Sequence, residues 1–275
     1  MRLVAAVTKS CLKDFLLMRK TFSLYHPNDS IHALCDKYCY DYLNGNFKNL
    51  TAILDSEIND GEHVSGDKDN LKPYLNILSK KFDLCLSLGA TPEDPIFWCD
   101  VDQIFVNPIE KSIIEGSKYY DAIVTPHYSD DFADEKTVGF FNGGFNIICN
   151  SNLFKVWKHL YDRYEELNLY YDQKALEVAL RSFKTLNLPI NYNFGWWKFM
   201  SPKFGGNLRR ISSGDDIKWE SKPIVSFHFH WFKDETHSFD RDGLKNIFSS
   251  WLSDRGRKED QETLMEIQFL NNLNE

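Results

Sequence analysis

Two carboxylates one residue apart, Asp100 and Asp102 in "IFWCDVDQIFVNP", interrupt an otherwise apolar stretch. Ile96, Phe97, Trp98 and Cys99 precede them and Ile104, Phe105 and Val106 follow, so the charges stand where a buried strand runs out. Residues i and i+2 of a strand face one side, which aims both carboxylates at the same space beyond the sheet edge. Like charges held together are unfavourable unless protons or a cation compensate them. A hard divalent ion, Mn²⁺ or Mg²⁺, accepts such oxygen ligands and keeps positions open for phosphates. The same triplet also suits a solvated turn in which Asp102 caps a bend before Pro108.

A second candidate is the late segment "VSFHFHWFK", which alternates as a strand does. Val225, Phe227, Phe229 and Trp231 fall on one face, and Ser226, His228, His230 and Phe232 on the other. Either imidazole, if neutral, would complete a metal site begun by two carboxylates, and Lys233 just beyond could neutralise a phosphate. Histidines on a half-exposed strand without a ligand are the plainer alternative. In "FNGGF", Asn142-Gly143 reads first as a hairpin turn. Alternatively, Gly143 and Gly144 let a ligand approach the backbone while the Asn142 amide meets sugar hydroxyls. Asp172 in "YYDQKAL" is either a helix N-cap or, with Gln173, a polar pair turned into a cleft. Trp196 and Trp197 suit a platform for a sugar ring or the core.

The elements that must position these residues alternate. Leu3–Val7 predicts a strand, followed by a helix from Ser10 as N-cap to a stop at Pro27. "IHALCDK" and "LTAILDS" predict strands around a helix near residues 36–44, and apolar residues at 71, 74, 75, 78, 82, 85 and 86 predict a helix ended by Gly89. Strands follow at 95–99 and in "YDAIVTPHY"; "FFNGGFNIIC" reads as a strand pair or a strand with a tight turn. Helices are expected from Ser151 or Asn152, from Asp172, and twice in the tail, in "RDGLKNIFSSWLS" and "QETLMEIQFLNNL". Alternating β and α elements point to a layered α/β domain, and no repeat or long linker divides it.

The chain has 275 residues, 43% of them hydrophobic, enough for a substantial core. Asp plus Glu outnumber Lys plus Arg by 40 to 32, a formal charge of -8 spread along the chain, which argues against general nucleic-acid binding. The run Leu3–Val7 is too short for a secretory or spanning segment, so a cytoplasmic protein is expected, with peripheral membrane attachment as a variant through the apolar side of the last helix. Cys35 and Cys39 in "CDKYC" lack a second pair at zinc-site spacing and read as small hydrophobes.

In this order, these segments resemble a glycosyltransferase of the GT-A fold, in the retaining group that includes the lipopolysaccharide galactosyltransferases and glycogenin. "FWCDVDQIFVNPI" takes the place of that family's Asp-x-Asp strand, "FNGGFNIICNSNLF" its Asn-x-Gly segment, "YYDQKAL" its Asp-Gln helix start and "VSFHFHWFK" its terminal His-to-Lys segment. The resemblance spans roughly residues 1–233 and implies an α/β GT-A (nucleotide-diphospho-sugar transferase) fold, a Rossmann-like mixed sheet flanked by helices. Residues 1–240 would form the transferase domain and 241–275 a C-terminal helical extension packed on it. It further implies Mn²⁺ (or Mg²⁺) held by Asp100, Asp102 and His228, with His230 the alternative. Asn142, Asp172 and Gln173 would act at the transferred sugar, and Lys72, Gly143, Gly144, Lys233, Val7 and Thr8 would contact the donor. That donor is a nucleotide sugar, UDP-linked in preference to GDP-linked, and the acceptor a glycan. A non-catalytic sugar- or nucleotide-binding module, or transfer to a modified DNA base, are the competing readings. The family's Gly and Lys-Pro-Trp after the histidine are replaced here by Trp231, Phe232, Lys233 and Asp234.

Overall fold

A computed structural model describes residues 1–58, 68–128, 132–169, 171–195, 197, 211–212, 218–219, 221–232 and 241–273. Two compact units are assembled from alternating stretches of chain. The first takes residues 1–12, 28–101 and 110–190, and the second takes 13–27, 102–109 and 191–275.

The first unit is built on a seven-stranded sheet. Its strands are β1 (Arg2–Val7), β2 (Ser30–Cys35), β3 (Leu50–Leu54), β4 (Ile96–Cys99), β6 (Ala122–Pro126), β7 (Phe141–Ile148) and β8 (Thr185–Asn187), in the order β3-β2-β1-β4-β7-β6-β8. β1 pairs in parallel with β2 and β4, β2 with β3, and β6 with β8, whereas β7 runs antiparallel to both β4 and β6. Every residue of β4, β6 and β7 is buried, which explains why β4 and most of β6 read as apolar runs without alternation. The helices of this unit are α2 (Lys37–Leu43), α3 (Lys68–Leu88), α4 (Lys111–Glu115), α5 (Phe132–Val138), α6 (Ser151–Asp162) and α7 (Tyr171–Leu180).

The core of the first unit is an aromatic cluster. Phe82 of α3 lies 4.7 Å from the ring of Trp98 on β4 and 4.9 Å from Trp157 on α6, and Trp98 lies 4.8 Å from Trp157. These side chains are fully buried. The indole N–H of Trp157 donates to the Asp172 carbonyl at 2.7 Å, tying this core to the start of α7. Gly89, at φ +68°, ends α3 as its sequence position predicts.

Three local expectations are corrected. "FNGGF" makes no hairpin: β7 is one uninterrupted strand, with Phe145 opposite Cys99 on one side and Phe141 opposite Pro126 on the other. Ladder pairing on both edges overrides the turn preference of Asn-Gly, and the mismatch is absorbed by a register shift between Val124 and Pro126. Helix α6 is capped by Asn150, whose side chain accepts the Asn152 N–H at 3.0 Å and donates to Asp121 at 2.8 Å, so the cap precedes Ser151 and Asn152. Helix α7 begins at Tyr171, which places Asp172 inside its first turn and not at the N-cap.

The second unit contains helix α1 from Lys13 onward (whole helix Leu12–Tyr25), a short sheet of β5 (Gln103–Phe105), β13 (Ser226–His228) and β9 (Phe194–Gly195), and a three-stranded sheet of β10 (Ile211–Ser212), β11 (Lys218–Trp219) and β12 (Lys222–Pro223). It closes with α8 (Arg241–Arg255) and α9 (Lys258–Asn271). A 3₁₀ turn over Lys9–Cys11, with Thr8 at its N-cap, precedes α1 where Ser10 was the expected cap. β13 stops at His228, so His230 lies past the end of a strand expected to run to Phe232. Phe227 packs 5.2 Å from Phe248 and 5.9 Å from Trp251. Arg257 donates to the Tyr25 hydroxyl at 2.8 Å and the Val106 carbonyl at 2.7 Å, which joins the tail helices to α1 and to the segment after β5. Among the described residues no helix is long and apolar enough to cross a membrane.

Replacing Asn150 with Ala removes both the α6 cap and its link to Asp121. The expected loss is about 1–2 kcal/mol in equilibrium urea unfolding, the range for a side-chain N-cap.

Candidate active site

In the first unit, several candidate residues gather at one edge of the sheet. β4 ends at Cys99, and the Asp100 N–H donates to the Gly144 carbonyl at 2.9 Å. Asp100 and Asp102 therefore lie in the turn after β4, not within a strand, and the two-residue alternation does not set their directions. Because β7 runs antiparallel, its opening residues Asn142, Gly143 and Gly144 lie beside the C-terminal end of β4. Carboxyl ends of parallel strands are where open α/β sheets gather ligands. Val7 and Thr8, both buried, mark the same end of β1, where the Val7 carbonyl accepts the Asp36 N–H at 3.3 Å.

Asp172 and Gln173 approach this edge from the first turn of α7. An ideal Cβ placed on Gly143 would lie 2.6 Å from the Asp172 carboxylate, closer than real atoms come, and a tight 3.2 Å from the Gln173 side chain. Only glycine admits this approach, and the Gly143 N–H donates to the Gln173 side-chain oxygen at 3.1 Å. Asp172 is buried. Burial first, and the negative Asp100 second, push its carboxyl up to about 7.

Lys81 is a functional candidate that the sequence reading passed over. Its side chain is 2% exposed, donates to the Cys99 carbonyl at 2.9 Å, lies 3.7 Å from the Asp100 carboxylate and sits 4.1 Å over the Trp98 ring. A lysine so deep is the counter-charge for Asp100 in the first unit. The available signal was a lysine inside the apolar period of α3, between positions 78, 82 and 85. Lys72, the expected donor contact, lies on the same helix, but its side chain is outside the described residues. Lys233 and Trp196 are outside them altogether.

In the second unit, Asp102 meets both histidines. Its carboxylate lies 3.1 Å from Nε2 of His228 and 3.8 Å from Nε2 of His230. Burial opposes ionisation of Asp102, but the two imidazoles outweigh it and hold the carboxyl well below the usual carboxylate range. Each ring is braced from behind, Nδ1 of His228 by the Asn193 side-chain oxygen at 3.0 Å and Nδ1 of His230 by Asp14 at 3.1 Å. Asp14 also accepts the Trp231 and Phe232 N–H groups at 2.7 and 3.1 Å. Such backing fixes ring orientation in metal-binding histidines. Trp197 stands edge-on to His228 at 5.3 Å and packs where a Gly195 side chain would be. Neither Asp14 nor Asn193 drew notice in the sequence, although Asp14, like Lys81, is a charge among buried helix positions.

Cys35 and Cys39 are buried thiols, and burial first, then the neighbouring Asp36 charge, keep Cys39 protonated, as a small core residue would be.

Comparison with solved structures identifies the architecture. A galactosyltransferase, LgtC, in complex with donor and acceptor sugar analogues is 13% identical, with 90% of this chain and 95% of that one covered and a TM-score of 0.57. The glycosyltransferase GlyE of Streptococcus pneumoniae TIGR4 is 13% identical over 98% of this chain and 64% of its own length, with a TM-score of 0.57. Mouse xyloside xylosyltransferase 1 is 11% identical, covering 83% of this chain and 97% of that one, with a TM-score of 0.50. No family model and no curated protein sequence matches the chain. The mixed sheet flanked by helices is thus the GT-A fold of glycosyltransferases, as the sequence motifs imply.

Because folding raises the Asp172 pKa, the protonated form is the favoured one. Its contribution to stability is whole below the ordinary carboxylate range and is lost as pH climbs through about 7. In metal-free protein, the melting temperature of the parent chain relative to Asp172→Asn is expected to fall steadily between about pH 5 and about pH 8. A flat difference across that range would contradict the buried, Asp100-facing environment.

Proposed function

We propose that this protein is a metal-dependent glycosyltransferase, moving a sugar with retention from a nucleotide diphosphate sugar to a glycan. UDP-linked donors are favoured over GDP-linked ones. Residues 1–240 carry the transferase and 241–275 its helical extension. The observation that carries the reading is chemical: Asp100, Asp102 and His228 each offer one ligand atom suited to a metal ion, on a fold whose solved neighbours transfer sugars. Two carboxylates and one imidazole fit Mn²⁺, with Mg²⁺ as the harder alternative.

Bound there, the ion would supply Lewis-acid stabilisation of the charge that grows on the departing diphosphate. The chain's own groups do the rest. Lys81 offsets the Asp100 charge before donor arrives. Asn142 and Asp172 hold the transferred sugar. Gly143 lets Asp172 and Gln173 come close to β7, Gly144 lies beside it at the donor, and Val7 and Thr8 face the nucleotide. Gln173 lies beneath the anomeric carbon, where its oxygen, already accepting the Gly143 N–H, is a poor nucleophile. Retention is then achieved by attack on the face the diphosphate leaves: the acceptor oxygen bonds to the anomeric carbon, the C–O bond to phosphate breaks, and the phosphate oxygen takes the acceptor's proton.

The test has two stages. Thermal shift against UDP-, GDP-, CMP- and dTDP-sugars, with and without Mn²⁺, is expected to select a UDP-sugar and to require the ion. With that donor, Asp102→Asn is expected to lower sugar transfer by about a hundredfold or more while the fold is kept. The product anomer, read by NMR, should match the donor; an inverted anomer would remove the retaining mechanism.

A further inference from the structure

Asn142 is assigned above to the transferred sugar, and the inference drawn here rests on that reading. What it adds is the group that, opposite the Gly144 N–H, holds the Asn142 amide at its other end. His127 follows β6, is 8% exposed, and no sequence motif drew attention to it. Its Nδ1 lies 2.9 Å from the Gly139 carbonyl oxygen, and its Nε2 lies 3.2 Å from Nδ2 of Asn142, itself 5% exposed. The Asn142 side-chain oxygen accepts the Gly144 N–H at 2.7 Å.

The two ends of this chain of hydrogen bonds are backbone groups whose roles cannot change. Gly144 N–H can only donate, so the oxygen of Asn142 must face it and the NH₂ must face His127. The NH₂ can only donate, so Nε2 of His127 must accept. The ring proton therefore sits on Nδ1, facing a Gly139 carbonyl that can only accept. All four assignments agree, and the opposite tautomer would set donor against donor at Asn142. Gly139, at φ +113°, has no room for a side chain: a Cβ there would meet the Gln173 backbone at 3.0 Å. The carbonyl that anchors His127 is thereby fixed against the first turn of α7, the same turn that carries Asp172 and Gln173.

The geometry points to His127 as a positioning residue of the sugar-reading amide, a neutral Nδ1–H imidazole that, together with the Gly144 N–H, holds Asn142 at both ends. Its effect falls on recognition of the sugar and not on the nucleotide, because without an accepting Nε2 the Asn142 amide keeps only the Gly144 N–H bond and is no longer held at both ends.

Two measurements on the full chain test this. Long-range ¹H–¹⁵N NMR of the ligand-free protein, with the signal assigned by its loss in His127→Gln, is expected to show the Nδ1–H tautomer at neutral pH; the Nε2–H tautomer would overturn the proposal. Calorimetry with UDP-galactose, UDP-glucose, UDP-N-acetylglucosamine and UDP, all with Mn²⁺, then separates the roles of the two ring nitrogens. His127→Gln can present an acceptor in the place of Nε2, whereas His127→Asn can replace only the Nδ1 donor. Expected is near-parental preference for the favoured UDP-sugar over UDP in His127→Gln, and a loss of about tenfold in that preference in His127→Asn and His127→Phe, with UDP affinity unchanged. Preservation by Asn and loss in Gln would mean that the ring serves only the Gly139 carbonyl, and would refute the assignment. A parental protein that prefers none of UDP-galactose, UDP-glucose and UDP-N-acetylglucosamine to UDP would instead sink the donor reading, leaving the tautomer result to judge His127.

Discussion

The carboxyl group of Asp172 is buried against the backbone of β7, and that approach exists because position 143 carries no side chain. Much of the first unit follows from this closeness. Helix α7 must start at the right height above the sheet, which the Trp157 indole enforces by holding the Asp172 carbonyl. Trp157 in turn is fixed by Phe82 and Trp98, so the aromatic core and the polar edge are one packed system. A core of this density leaves few alternative rotamers, and the polar groups at its border inherit that rigidity.

Charge is distributed over the two units in different ways. In the first, a buried lysine stands beside Asp100, while Asp172 meets the same carboxylate as a repulsion and is driven toward its neutral form. In the second, Asp102 is surrounded by imidazoles and is driven toward its charged form. Two aspartates with similar intrinsic acidity thus end far apart in proton affinity through their neighbours. Burial acts in the same direction on both; at Asp172 it prevails, with Asp100 adding to it, whereas at Asp102 the imidazoles overturn it.

The strands and helices were largely legible in the sequence because apolar runs and helical periods are local signals. β1, β2, β3, β4 and β6 and helices α3, α6, α8 and α9 appear near where their patterns place them. "FNGGF" misled because a dipeptide preference was read without knowing that β4 and β6 would pair with both edges of the segment. The Asp-x-Asp, Asn-Gly-Gly, Asp-Gln and His-Phe-His segments stood out through composition and order. Lys81, Asp14, Asn193 and His127 did not, since each draws its role from partners far off in the chain: Asp14 meets His230 across 216 positions. Long-range pairing is invisible to any window of sequence, although a charged residue at an apolar helix position is a clue that can be sought.

The alternation of chain segments between the units has a bearing on synthesis. All seven strands of the large sheet are encoded by residue 187, so that unit can close while translation continues. The second unit cannot, because Tyr25 and Val106 wait for Arg257 and β5 waits for β13. Helix α1 and the segment around β5 therefore leave the ribosome long before their partners exist. Until then they have chiefly each other to pack against, through the edge-to-face contact of Phe22 with Phe105, so this unit is completed only when the last helices are made.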